Sequence, residues 1–587
     1  MASAHPLPSQ SPLRSGTTGS GKSSSELHAV RRRQESRLRN LDSQFTTWRT
    51  HFRELAKFHL PRRISYLDVN ERSRKNDGSR FNSVLVDNTS TKAARVLGAG
   101  MTSGLTSPAR PWFRLTIADP ELSARSDVRE WLDQVQTQMY AVFSGSNFYT
   151  VLPRMYVESS IFGTSSMVME SHPTDIIWCR SFPIGSYRLA TDSRGIPNAI
   201  YRRIGRTAEQ LKEEFGEDKM SDVAKQMLET NPDDYIDVIH AIEPNRNEID
   251  YVDEEMEYVS CWWEANNDEH AFLRCGGYRT NPLLVARWDA LPDDSYGSDN
   301  PGMDCLGDIK ALQLLQRRKE EAIDKLVKPP LKAPKFMENE RVSLLPGDVT
   351  FLDDANGGRL EPIYTVQPDV RGVLEDIVDV RNRINESYHK ELFMMLTMSD
   401  RRNITAREVQ ERHEEKLVML GPVLERYINE FLDPIIERTF SIMLEHPMAH
   451  LPPAPEEIQG QEMKVEYISI LAQAQQAIGA SGIERLWMSA ASIAQYGKPE
   501  VLDKLDEDVT VDELGKMFGV PNKLIRDEDD VAEIRQMRAQ QMAAQAQAEQ
   551  AAMAAQTAKT ASEIQQNPED QMDQDAQSVN ELLGVGI

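Results

Sequence analysis

Three prolines within the seven residues Lys328-Pro-Pro-Leu-Lys-Ala-Pro334 separate two long amphipathic runs of this chain. Proline has no amide hydrogen and restricts the residue before it, so such a stretch stops a helix. Upstream, Ile309, Leu312, Leu315, Ile323 and Leu326 fall mostly on one stripe of a helix over 303–327, and Arg317, Arg318, Glu320, Glu321, Asp324 and Lys325 cover the rest. Downstream, Val373, Ile377, Val380, Ile384, Tyr388 and Leu392 recur at spacings of 4, 3, 4, 4 and 4, which predicts a second helix over 369–395. At about 1.5 Å per residue each reaches roughly 40 Å. Between them, 335–366 carries Pro346-Gly347 and Gly357-Gly358 and reads as short strands and turns. The order is long helix, small β module, long helix, an arrangement that by itself names no fold.

The remainder reads as α+β. Residues 1–30 form a Ser/Pro/Gly-rich tail with the composition of a disordered segment. A basic helix follows, with Arg31, Arg32, Arg33, Arg37 and Arg39 ahead of Phe45, Trp48, Phe52, Leu55 and Phe58, and ends at Leu60-Pro61. Its arginines suit nucleic acid, a neighbouring acidic subunit or plain solvent equally well. Helices are expected at 127–143, 149–160 and 207–215, the last with Thr207 as N-cap. Strands are expected at 165–170, 176–182, 186–191, 199–204, 235–244, 257–265, 270–276 and 283–288. A long helix over 406–444 opens with Thr405 and Glu408 as a capping box and is kinked at Gly421-Pro422 and Asp433-Pro434. After a Pro-rich stretch at 447–460, residues 463–530 read as a helical block. The Ala/Gln/Met-rich run 527–566 has high helix propensity but no sustained Leu/Ile face, so it is expected to order only when neighbours pack around it.

Thr89 to Leu105 is read as a helix in which Ala93, Ala94, Gly98, Ala99 and Gly100 permit close backbone approach; Pro108 and Pro111 end it, and Trp112 and Phe113 follow as apolar anchors. An ordinary buried helix and turn has the same local chemistry. The stretch Met101-Thr-Ser-Gly-Leu-Thr-Ser-Pro-Ala-Arg-Pro-Trp112, with Leu60-Pro61-Arg62-Arg63 and 87–100 before it, nevertheless resembles the head-to-tail connector, or portal, proteins of short-tailed, T7-like bacteriophages. The resemblance spans roughly 40–450 and is most specific at Leu60, Pro61, Arg62, Arg63, Met101, Ser103, Gly104, Leu105, Pro108, Arg110, Pro111 and Trp112.

The resemblance implies an α+β portal fold: a wing over 31–302, stem helices over 303–328 and 368–395, a clip over 329–367, a channel loop over 396–404, a long wing helix over 405–455 and a helical crown over 456–530. Residues 531–587 would be a C-terminal extension. It implies a homo-dodecameric ring at one capsid vertex of the virion, made in the host cytoplasm, through which double-stranded DNA is packaged and ejected. Its partners would be further copies of itself, the terminase large subunit, a tail adaptor, and the major capsid and scaffold proteins. DNA would pass non-specifically, with no membrane, cofactor or metal involved. Met398, Ser399, Asp400, Arg401, Arg402 and Asn403 are the channel-loop candidates, offering both signs of charge to passing phosphates. Lys328, Lys332 and Lys335 are candidates to face DNA or the packaging motor.

Charge and motifs test the alternatives. The net charge of −25 argues against a sequence-specific DNA binder, which shows a basic face, and suits a wall that a polyanion slides past. Cys179, Cys261, Cys275 and Cys305 form no CxxC pair and read as reduced thiols. No apolar run approaches the ~18 residues of a membrane span, and no signal-peptide core is evident. Gly16-Thr-Thr-Gly-Ser-Gly21-Lys22-Ser23 fits the phosphate-binding loop pattern. A P-loop NTPase would need an apolar strand before it, and His5 to Ser15 holds three prolines and no β-run; the match reads as chance and the chain as no enzyme. A scaffold or internal core protein, suggested by the Ala/Gln-rich C-terminus, would be poorer in strands than 160–290.

Overall fold

The computed structural model describes residues 24–68, 85–119, 122, 125–249, 252, 254–327, 331–332, 361–362, 370–398, 420–458, 463–468, 483, 485–495, 504–517 and 528–566. Helix α1 (Ser24–His59) begins inside the stretch expected to be a tail. Leu27, Val30, Leu38 and Leu41 supply the reason, since they pack with Tyr201 and Trp263 of a β-sheet and Phe272 of the connection beside it. Its second half sends Phe45, Phe52 and Leu55 into the main core. A turn, Pro61–Arg63 and then Ile64–Leu67, follows. Helix α2 (Thr89–Leu105) has the expected bounds. Strand β1 (Phe113–Ile117), helix α3 (Ser126–Gly145) and helix α4 (Phe148–Phe162) come next.

Two antiparallel sheets form the middle of the chain. Strands β2 (Thr164–His172) and β3 (Ile176–Phe182) pair as a hairpin, and β9 (Leu283–Arg287) closes on the other edge of β2. Strands β4 (Tyr187–Thr191), β5 (Pro197–Thr207), β6 (Tyr235–Pro244), β7 (Tyr258–Glu264) and β8 (Arg274–Tyr278) make a five-stranded meander. All eight expected strands are present, with shifted ends. Helices α5 (Ala208–Phe215) and α6 (Asp222–Thr230) fill the β5–β6 connection. Thr207 and Gln210 form a complete capping box on α5, which satisfies two backbone amides that would otherwise lack partners.

The first long helix is divided. Pro301–Asp304 makes one turn, capped by Asn300, and α7 (Leu306–Val327) follows. Leu331–Lys332 (β10) pairs with Glu361–Pro362 (β11), closing the base of the expected β module. The second long helix also breaks, into α8 (Val370–Ser387) and α9 (Lys390–Met398). His389 sits at the break with φ +48°, a left-handed conformation unusual for a non-glycine. The interruption lets Tyr388, Leu392 and Phe393 all stay buried.

From Leu420 the helix expected over 406–444 runs through a π-turn at Ile428–Leu432 into α10 (Asp433–Glu445). Pro434 lacks an amide and its ring crowds the carbonyl one turn back, and the widened turn makes room for it. Here the expected kink becomes a π-bulge. The block expected to be helical from 463 instead opens with a strand, β12 (Met463–Tyr467), paired antiparallel with β1 from Phe113↔Tyr467 to Ile117↔Met463. Met463, Val465 and Tyr467 alternate as a strand does, a period that the surrounding helical composition hid. This part of the expected crown is therefore joined to β1, in the segment expected to be the wing. Helices α11 (Glu507–Met517) and α12 (Glu528–Gln566) follow.

Candidate functional site

Helices α7 and α8 pack against each other, and their roots meet a buried carboxylate in front of α2. Asp87 accepts from Arg381 Nη2 at 2.6 Å and Nε at 3.1 Å, from Gln316 Nε2 at 3.3 Å, and from the Thr89 amide at 2.8 Å. Gln313 of α7 completes the hub by donating to the Asp87 carbonyl at 2.8 Å and accepting the Val86 and Asp87 amides. Burial pushes the Asp87 carboxyl up, but the hydrogen bonds from Thr89 and Arg381 outweigh it and hold the group below the usual carboxylate range. A single charge thus fastens α2, α7 and α8 together.

A second hub sits at the α8–α9 break. Tyr388 donates its hydroxyl to His59 Nδ1 at 2.9 Å, and His59 Nε2 donates to the Gly302 carbonyl at 3.2 Å. The carbonyl can only accept, so the proton must sit on Nε2. Full burial lowers the His59 pKa to about 4, against only a partial offset from Gly302, and the ring is neutral. Thr91 Oγ1 donates to the His59 carbonyl at 2.8 Å. The glycines of α2 then allow contact on both flanks. A Cβ on Gly100 would lie 2.4 Å from Phe393 Cδ1 of α9, and one on Gly98 would lie 2.5 Å from Val157 Cγ2 of α4. The expectation of close approach is met at named partners.

Beyond these hubs the helix pair leaves the core. Along α8, the break and α9 the expected stripe is real: Ile377, Val380, Ile384, Tyr388 and Leu392 are all buried. On α7 it holds for Ile309 and Leu312 and fails for Ile323 and Leu326, which are 41% and 46% exposed. Val327, Leu374 and Val378 are exposed beside them. The protruding half of α7 otherwise presents Arg317, Arg318, Glu320, Glu321, Asp324 and Lys325 to solvent.

Most of the signature residues serve as scaffold. Pro61 is buried and opens the turn after α1, Leu60 packs against the core, and Arg62 is exposed with its carbonyl accepting from Ser65. Arg63 pairs with Glu158, buried in the middle of α4. Met101, Gly104 and Leu105 are buried, and Ser103 bonds back to the Gly100 carbonyl. Pro108, Arg110 and Pro111 are exposed on the loop that leads to Trp112. The Trp112 ring is buried against Phe113, Phe143, Phe148 and Tyr467, and its Nε1 donates to Tyr149 at 3.2 Å. The basic helix is also largely spoken for. Arg31 donates to the carbonyls of Glu264 and His270, and Arg33 and Arg37 pair with the buried Glu243 at 2.6 and 2.8 Å. Those three arginines hold α1 on the sheet; Arg32 and Arg39 face outward.

Met398 is the last residue of α9; Ser399, Asp400, Arg401, Arg402 and Asn403 lie outside the described residues. Lys332 falls in β10, and Lys328 and Lys335 lie outside the described residues, as does the 16–23 phosphate-loop match. Among the described residues no group of three or more His, Cys, Asp or Glu side chains is placed to hold a metal.

Residues 31–525 match the family described as bacteriophage head to tail connecting protein, and the chain belongs to that family of structural phage proteins. It is 42% identical to the portal protein of Salmonella phage epsilon15 over 509 residues, 86% of this chain and 90% of that protein. It is 41% identical to the probable portal protein of Bordetella phage BPP-1 over the same shares. A chain from the solved virion of a native gene transfer agent particle aligns at 11% identity with a TM-score of 0.31, over 74% of this chain and 90% of that chain, too loosely to define the fold.

Proposed function

We propose that copies of this chain close into a dodecameric ring at one vertex of the phage head and act there as its portal. The observation that carries this is the apolar face on helices that have left the core. Leu314, Ile323, Leu326 and Val327 of α7 and Leu374 and Val378 of α8 are exposed, a pattern that a lone subunit has no reason to keep. Neighbouring copies around an axis would bury it. Membership of the head-to-tail family and the names of the two phage relatives support the same reading.

In this reading α7, α8 and α9 up to 395 are the stem, 329–367 is the clip, 396–404, which takes in the last three residues of α9, is the channel segment, and the sheets with α1–α6 are the wing. The crown keeps only the part of 456–530 that follows β12. A dodecamer of chains at −25 each carries about −300 formal charges. A duplex passing such a wall is repelled from it, and any contacts from Asp400, Arg401 and Arg402 are weak enough to be exchanged as the strand moves. Lys328, Lys332 and Lys335 would meet the terminase or the DNA at the clip, and a tail adaptor would take that place after packaging. The major capsid and scaffold proteins would surround the wing. No helix among the described residues is long and apolar enough to cross a membrane.

Negative-stain imaging and native mass spectrometry test the reading. Closed rings with a central hole are expected from the intact chain, and Ile323→Asp with Leu374→Asp should leave folded monomers. An intact chain that stays monomeric at high concentration refutes it.

A further inference from the structure

A groove of about 960 Å³ opens beside β3 and β5, flanked by Tyr66 and Met227. Four arginines line it, Arg180 from β3 and Arg202, Arg203 and Arg206 from β5. Arg180 lies 3.8 Å from Glu170, and Arg206 donates to Glu214 at 3.1 Å. Arg202 differs. It is 6% exposed, and among the described residues no carboxylate is hydrogen-bonded to it. Its Nε donates to His240 Nδ1 at 2.8 Å, and its guanidinium lies 4.3 Å from the Phe182 ring centre and 5.2 Å from that of Trp262.

His240 brings no counter-charge. Burial first, then the surrounding arginines, drive its pKa far down. It therefore accepts at Nδ1 and donates from Nε2 to Ser260 Oγ at 2.8 Å. Glu170 acts on Arg202 only from a distance and is engaged by the Tyr278 hydroxyl at 3.1 Å. Burial and the neighbouring Arg180 lower the Arg202 pKa to about 9. A buried cation without its anion is costly, and the two terminal amino groups of a guanidinium match a carboxylate in parallel hydrogen bonds.

The complementary charge stands at the other end of the same sheet. Strand β6 begins at the groove with Tyr235 and ends at Pro244, a span of roughly 30 Å for a strand of this length. Beyond Pro244 the connection to β7 exposes Glu254, Glu255 and Glu257 against one exposed arginine, Arg246. Arg279 meets Glu255 at 3.3 Å, leaving the end acidic.

We propose that the groove receives the acidic β6–β7 turn of a second copy of this chain, with a carboxylate of Glu254 or Glu257 seated on Arg202. The groove opens at the Tyr235 end of the sheet, with Arg202 opposite His240 at its inner side, and the acidic turn stands beyond Pro244, so the contact is head-to-tail. Each copy gives its turn to one neighbour and its groove to the other, and such a contact closes a ring when the rotation permits. The inference rests on the ring reading and adds to it a surface separate from the stem helices. DNA phosphate is the competing anion. Asp234 on the groove wall repels a continuous run of phosphates more than the single carboxylate of Glu257, whose neighbours Met256 and Tyr258 are uncharged.

Charge reversal tests it. Arg203→Glu alone, or Glu254→Lys with Glu257→Lys, should cut the ring fraction about tenfold at fixed concentration in native mass spectrometry, with the circular dichroism unchanged. Combining both sets should restore it. Arg202→Gln should act like Arg203→Glu, and Arg203 keeps the test valid if the buried change unfolds the wing. Rings from the intact chain that tolerate either reversal, or a combination without rescue, overturn the contact and leave the ring reading standing. An intact chain that forms no rings sinks the ring reading instead. The contact is then read by titrating monomer with a peptide of residues 244–258, where saturable binding lost in Arg203→Glu supports it and no binding refutes it. Saturable binding of a short DNA duplex lost in the same variant assigns the groove to phosphate and also overturns it.

Discussion

Gly100→Ala should destabilise this protein although helix propensity alone says the opposite. Alanine is favoured over glycine inside a helix by about 1 kcal/mol. At Gly100 the added Cβ would lie 2.4 Å from Phe393 Cδ1 and 2.5 Å from both Phe393 Cβ and Cγ. Real Cβ atoms do not approach others so closely, and Phe393 Cβ is tied to the backbone, so no change of rotamer relieves the contact and α9 must move. Overpacking of this kind costs about 1–3 kcal/mol before the propensity gain is subtracted, and here a backbone shift puts the cost at the upper end. A net loss of about 1–2 kcal/mol is expected, seen as a lower thermal midpoint and faster amide exchange over 390–398. Gly307→Ala is the control, since a Cβ there meets nothing within 4 Å; it should stabilise by about 0.5–1 kcal/mol. In a Phe393→Ala background the Gly100→Ala change should cost less, because Cγ and Cδ1 are gone although Cβ remains. A Gly100→Ala protein as stable as Gly307→Ala would refute the reasoning, because the contact between α2 and α9 would then be loose.

Three further outcomes follow from the hubs. His59 is neutral when folded with a pKa near 4 and ordinarily titrates near 6.5, so its contribution is complete above pH 6.5 and is lost as the pH falls from 6.5 to 4; the loss approaches about 3 kcal/mol, and the acid limb of a stability–pH curve should flatten by that amount in His59→Gln. Removing Arg287, which binds Glu430 through Nε and Nη2 at 2.8 Å each, leaves that largely buried carboxylate with Arg426 at 3.5 Å; Arg287→Ala should cost about 3 kcal/mol in chemical denaturation, the low end for a broken buried pair. Thr207→Ala breaks the α5 capping box and should cost about 1 kcal/mol, with faster exchange confined to 208–215.

Local patterns carried most of the elements. The 3.6-residue period exposed α2, α3, α4 and α8, alternation exposed the strands, and Thr207 announced its helix. The breaks were less legible. Nothing near Tyr388-His389 signals a helix end, since the interruption exists to seat Tyr388 on a histidine 329 residues away in sequence. Strand β12 was missed because its five residues sit in helix-like surroundings and become a strand only by pairing with β1. The arginines of α1 were visible as charge, but their carboxylate Glu243 lies more than 200 positions on and could not be chosen in advance. The groove at Arg202 had no local signature, being built from β3 of one sheet and β5 and β6 of the other.

Composition and periodicity alone determined that this chain would be an α+β protein with two long helices around a proline-rich module, and its 60–63 and 87–113 residues marked the family. Those are properties of neighbouring residues, set by backbone sterics and hydrophobic spacing within a few turns of chain. Tertiary structure decided which helices break, which strand joins which sheet, and which charges are consumed between α1 and the five-stranded sheet. Such outcomes depend on the cost of burying a polar group without a partner, and the partner is known only once distant segments have come together.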